Sequence, residues 1–295
     1  MNVSKLNGII FLSLWVSFAT ASDDKATILA GGSAESLYDT SVTDAKIVFT
    51  LIFNEAIEKS NEQFELEIYD TDEELSENLL SGVLDAVFTN TLHYLEIEKH
   101  LNPNGRYVVQ HGPDVKSLYY LLVRHDSGID KLSQLQGKKI SIPFGHDVGR
   151  LFLDVKLMGQ DLPMADHFFS EIRQTRESNS SVVNLFFGKV DAALITDFSY
   201  SVAKELNSQI DKQLNIIEIS EPLIYHIVSV RRNFPQYRID RIEPYILNLQ
   251  GSPRVAEILK TLKVTALHKV TDNTLTELRR LNDEYHKLLN TVTPQ

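Results

Sequence analysis

Two phrases of one form constrain this chain more than any other feature: SGVLDAVFTN at residues 81–90 and FGKVDAALITD at residues 187–197. In each, a glycine ends a helical pattern, an aspartate opens a short apolar run, and polar residues close it. A run of that length between turn signals reads as a strand. Helical patterns on either side imply parallel strands joined by crossover helices. In open α/β sheets, ligands bind beyond the carboxyl ends of the strands. Two units on one plan therefore set two polar rims face to face.

The first unit opens with a short apolar strand at residues 25–30 and a loop at 31–36 that carries Ser33 and Ser36. From Thr43 onward, Ala45, Val48, Phe49, Ile52, Phe53 and Ala56 recur at helical spacing. Residues 65–69 alternate as a strand. Thr71, with Glu74 three residues on, has the form of a capping box for a helix that runs to Gly82. A strand at 84–88 then ends at Thr89, Asn90 and Thr91.

The second unit is organised around residues 131–159, KLSQLQGKKISIPFGHDVGRLFLDVKLMG. A strand at 140–142 leads through Phe144, Gly145, His146 and Asp147 into an amphipathic helix at 148–158. The first N–H groups of a helix lack intrahelical partners and, with the helix dipole, attract anions. Residues 168–172 read as a strand, 182–187 as a helix, and 190–195 as a strand ending at Thr196 and Asp197. Apolar runs at 117–124 (SLYYLLVR) and 223–230 (LIYHIVSV) lead out of one unit and back. Helical patterns follow at 242–249, 255–262 and 275–289. The expected architecture is α/β, with two lobes, two hinge crossovers and a cleft between the lobes. Residues 22–120 and 230–295 are assigned to the first lobe and 121–229 to the second.

Residues 1–21 read as a cleavable secretory signal: Lys5, a short apolar core, and a small-x-small site at Ala19, Thr20 and Ala21. No later stretch reaches about eighteen uninterrupted apolar residues, so no further membrane span is expected. A net charge of −11 argues against a nucleic-acid or anionic-membrane partner. Cysteine is absent, which excludes thiol catalysis and thiolate metal sites and leaves an exported chain to be held by its core. The 9 histidines are scattered without the i, i+4 pairing that zinc sites favour, so neither a metal nor another cofactor is expected. Without a G-x-S-x-G elbow, a Walker loop or a G-x-G-x-x-G fingerprint, the chain does not read as an enzyme.

The phrases SGVLDAVFTNTLHYL, LLVRHDSGIDKLSQLQGKKISIP and FFGKVDAALITD resemble the periplasmic solute-binding proteins of the phosphonate/phosphite type. These have the type II periplasmic binding protein fold, and the resemblance runs from about residue 25 to 262. It implies a periplasmic protein that binds a small anion between two lobes, delivers it to an ABC permease and does no chemistry on it. Where the family's phosphonate binders carry a Ser/Thr-rich loop after the central strand, this chain has Phe144, Gly145, His146, Asp147, Val148 and Gly149. The alternative reading is a periplasmic sensing module that signals to a membrane-bound kinase or cyclic-nucleotide signalling enzyme.

Placed on that plan, the candidate ligand residues are Ser33, Ser36, Thr89, Asn90, Thr91, Gly145, His146, Asp147 and Asp197. The residues at 89–91 and Asp197 close the two matched strands, where capping the next helix is the competing role. Asp147 suits a cap in the same way. His146 is expected to donate to an anion as a protonated imidazole, its pKa of about 6.5 raised by Asp147, so that affinity falls as pH rises.

Overall fold

The structure is a computed structural model that describes residues 25–37, 41–112, 114–262 and 264–292. The expected secretory signal at 1–21 lies outside the described residues. Among those that are described, no helix is long and apolar enough to cross a membrane.

The chain begins with β1 (Ala26–Ser33), α1 (Val42–Ile57), β2 (Glu62–Tyr69), α2 (Asp72–Leu80), β3 (Ala86–Asn90), α3 (Thr91–Ile97) and β4 (Leu101–His111). It continues with β5 (Tyr119–Arg124), β6 (Lys139–Pro143), α4 (Asp147–Met158), α5 (Ala165–Phe168), β7 (Glu171–Thr175) and α6 (Ser178–Phe186). Then come β8 (Ala192–Thr196), α7 (Asp197–Leu206), α8 (Gln209–Gln213) and β9 (Leu214–Ile219). The last part is β10 (His226–Arg231), α9 (Gln236–Ile246), α10 (Pro253–Thr261), β11 (Val264–Lys269) and α11 (Thr276–Val292).

The described strands form two sheets, in the orders β2-β1-β3-β10-β4-β11 and β7-β6-β8-β5-β9. Each contains a parallel trio, β2-β1-β3 or β7-β6-β8. Next to the strand that the repeated aspartate opens lies an antiparallel strand that has crossed over from the other sheet: β10 beside β3, and β5 beside β8. The aspartates explain the repeated phrase. Asp85 accepts from the Leu29 N–H at 3.3 Å and pairs with Arg231 at 3.1 Å, while Asp191 accepts from the Lys139 N–H at 2.8 Å. Each ties the start of its strand to the neighbouring strand, so both sheets begin in register.

The chain exchanges sheets between β4 and β5 and between β9 and β10, slightly before the boundaries expected at 120/121 and 229/230. Those boundaries would cut through β5 and β10, each of which pairs along its length with the sheet it enters. The crossovers are themselves bridged, Ser117 and Leu223 exchanging two backbone hydrogen bonds of 2.8 Å. The C-terminal helix also departs from its expected place wholly in the first lobe. α11 pairs Arg279 with Glu98 beyond α3, yet packs on α4 and donates from the Tyr285 hydroxyl to Met164. One hydrophobic cluster accordingly joins Leu84, just before β3, and Val87 of the first sheet, Leu121 and Ile140 of the second, and Leu278 of α11.

Three local expectations change. β1 runs on through Gly31 and Gly32, where a loop is expected, because side chains close over the glycines. A Cβ at Gly31 would lie 2.5 Å from Leu84 and 2.6 Å from Leu75. The strand expected at 168–172 begins later, at Glu171, because the Asp154 carboxylate accepts from the Ala165 N–H at 2.7 Å and stabilises the short α5. β4, β9 and β11 have no counterpart in the sequence reading; Pro103, Asn104 and Gly105 interrupt the pattern inside β4.

Candidate ligand-binding site

The polar rims of the two sheets are built by caps. Thr71 caps α2, Asn90 caps α3 by accepting from the His93 N–H at 2.8 Å, and Thr196 caps α7 by accepting from the Ser199 N–H at 3.1 Å. Thr196 therefore takes the capping role considered for Asp197. Asp197 is instead the first helical residue, its carboxylate accepting from the Phe198 N–H at 2.8 Å. Burial, then Asp114, raises its carboxyl above the ordinary carboxylate range.

Ser33, Ser36 and Asn90 converge on one side chain. Asp72 accepts from Ser33, from the Ser36 hydroxyl at 3.3 Å and from the Asn90 amide at 3.3 Å. The Asn90 N–H also donates to the Ser36 hydroxyl at 3.1 Å. Thr91 holds a crossover: its hydroxyl donates to the Ile224 carbonyl at 2.6 Å and its N–H to the Tyr225 carbonyl at 3.1 Å. Thr89 lies on the β3 face that carries Val87, and its buried hydroxyl has no hydrogen-bond partner among the described residues.

On the opposite wall, Gly145 has φ 74°, a left-handed turn that aims the next residue inward. His146 is 3 % exposed, with its Nε2 3.3 Å from the Ser178 hydroxyl and its ring edge-on to Tyr119. It occupies the cap position of α4 without a side-chain cap, and Asp147 is the first helical residue. Burial pushes the imidazole down to about 4. His146 is thus neutral at physiological pH, which corrects the expectation of an imidazolium raised by Asp147: burial disfavours the charged ring. Asp147 stands at the mouth of the cleft, between the acidic recess and α4. Its carboxyl is raised, first by desolvation and then by Asp72 and Glu35 on the facing lobe.

Between the lobes lies a cavity of about 300 Å³. The first lobe contributes Ser36, Phe88 and His226, the second His146, Thr196 and Ser199, and the crossover segment Tyr225. His111, at the end of β4, stacks on Tyr225 and lies near Phe198. Burial lowers His111 to about 4, and burial with the neighbouring His111 and His146 lowers His226 to about 3. The wall offers hydroxyls, neutral imidazoles and the start of α7, framed by aromatic rings, and the exposed Asp44 carboxylate of α1 also lines it. Of the nine residues expected at the site, Ser36 and His146 line this cavity. Asn90 and Asp147 line a second, acidic recess of about 550 Å³ beside it, with Glu35, Asp72 and Glu96. Phe88, His111, Phe198, Tyr225 and His226 escaped the sequence reading. The adjacent Tyr225 and His226 inside an apolar crossover run were the available signal. No three metal-ligating side chains among the described residues are placed to hold an ion.

Residues 52–275 match the family described as ABC transporter, phosphonate, periplasmic substrate-binding protein. A search of curated proteins found no match. Among solved structures, the chain is similar to XAC2383 from Xanthomonas citri bound to chloride ion, with TM-score 0.66 and 15% identity over 90% of this chain and 99% of that one. A binding protein component of an ABC phosphonate transporter from Pseudomonas aeruginosa has TM-score 0.66 and 12% identity, over 92% and 90% of the two chains. PhnD1 from Prochlorococcus marinus in complex with methylphosphonate has TM-score 0.64 and 12% identity, over 89% and 99%. These likenesses establish the type II periplasmic binding protein fold. With the family's pattern extending over most of its length, the chain belongs to the periplasmic phosphonate-type substrate-binding proteins of ABC transporters.

Proposed function

We propose that this protein captures a small, singly charged oxyanion between its lobes in the periplasm and delivers it to an ABC permease. The observation that carries the reading is the cavity between the lobes, walled from both sides by hydroxyls, neutral imidazoles and the N-terminal turn of α7. Neutral donors and a helix start stabilise an anion without a counter-charge, and being fixed they need little reorganisation. The Asp44 carboxylate on the cavity wall and the acidic recess beside it disfavour a second negative charge. His146, Thr196 and Ser199 are assigned to the ligand's polar head, Ser36, whose hydroxyl donates to Asp72, to the wall beside it, and Asp147 to the rim that sets the charge limit. Closure would bring the two walls together about the bridged crossovers. Delivery to a permease, rather than signalling to a membrane kinase, follows the family to which the chain belongs.

Thermal-shift measurements against methylphosphonate, methanesulfonate, short carboxylates, phosphate, amino acids and sugars test the reading. A monoanion should raise the melting temperature progressively with concentration, and more than phosphate does. A shift produced only by a sugar or a cation would overturn it.

A further inference from the structure

The first lobe contains a second cavity, of about 90 Å³, between α1 and the sheet. Every side chain described along its wall is apolar, Ala30, Ile52, Phe53 and Phe64 among them, none of which lines the interlobe cavity. It is not isolated. Phe49, Phe88, Val109, Leu262 and Val264 line both this cavity and the one between the lobes. The Phe49 and Phe88 rings, 6.1 Å apart between centroids, stand where the two spaces meet. Phe49, Phe53, Phe64 and Val109 pack on the lobe's core yet stay only partly buried. An apolar space of this kind gains little from water, and leaving it unfilled costs stability.

We infer that the ligand is an amphiphile: an oxyanion whose short, straight hydrocarbon tail passes between Phe49 and Phe88 into the first lobe. The inference rests on the oxyanion reading for the head and on the continuous apolar wall for the tail. The polar donors all lie at the interlobe end, so they orient the molecule head-outward from the lobe core. A cavity of about 150 Å³ accommodates the six carbons of benzene, so about 90 Å³ accommodates roughly four. The tail class is therefore propyl to butyl.

Calorimetric titration with n-alkylphosphonates and n-alkylsulfonates from methyl to octyl, alongside n-alkanols, tests this. Affinity should rise about fourfold for each added methylene and level off near butyl. Ala30→Leu, which adds bulk to the wall of the inner cavity, should flatten the series, with folding checked by circular dichroism. If the oxyanions bind but show no gain with length, the tail is refuted and the oxyanion reading survives. If no oxyanion binds while the alkanols follow the same length dependence, the tail stands and the oxyanion head is wrong. Absence of length dependence in all three series refutes the tail outright.

Discussion

Burial decides the charge of His146, and with it the pH behaviour of the site. An unfolded histidine titrates near 6.5, whereas the folded imidazole is held down to about 4. The unfolded chain therefore takes up a proton first as pH falls. The stability contributed by the neutral ring is complete above about 6.5 and is lost progressively toward 4. For this side chain the loss amounts to at most about 3 kcal/mol by pH 4. Urea unfolding across that window should show stability falling in the wild type and falling less in His146→Gln. Affinity for a sulfonate, which stays a monoanion throughout, should be flat from pH 6 to 8 in both proteins. A wild-type affinity that drops through 6.5, with a flat His146→Gln profile, would restore the protonated histidine. The sequence marked His146 as a candidate because of its loop. Its charge state was illegible there, since it depends on Tyr119 and Ser178 closing over the ring.

At the scale of elements, the start of α4 is positioned by a missing side chain. A Cβ at Gly149 would lie 2.4 and 2.5 Å from carbons of the Tyr119 ring. Tyr119 begins β5 and is 1 % exposed, so it has no room to retreat. Gly149→Ala should push the first turn of α4 off the sheet, costing about 1–3 kcal/mol of stability in urea unfolding. It should also weaken ligand binding, because His146 moves with that turn. Unchanged stability and affinity would show that the contact relaxes freely. Elements with a local signature were legible. Thr71 does cap α2, and the two aspartate-led phrases are β3 and β8. The end of α2 at Leu80, just before Ser81 and Gly82, is close to the place where the glycine suggested it. β4 and β9 lacked such signatures, because their pairing partners lie far away in the chain and supply the order that their own residues do not.

For the whole molecule, two sheets need not mean two independent folding units. Leu278 of α11 is 2 % exposed within a cluster that includes core residues of both sheets. Far- and near-ultraviolet circular dichroism should therefore report one coincident unfolding transition. Leu278→Ala should move both signals together to lower urea, by about 2–5 kcal/mol. Separate transitions, or a shift in one signal alone, would show that the lobes are held independently.

The sequence by itself determined the repeated βα plan, the polar strand ends and the passage of the chain between two lobes, because periodicity, caps and turn residues are local properties. It also carried the family resemblance, whose phrases fall on strands and turns. Only the tertiary structure decided which polar residues face the cavity between the lobes. Ser33 and Asn90 spend their hydrogen bonds on Asp72, and Thr91 holds a crossover, while His111, Tyr225 and His226 come together from β4, the second crossover and the start of β10. Rim residues of one chemical type are separated into structural and cavity-facing positions by partners that close packing brings in from distant parts of the chain.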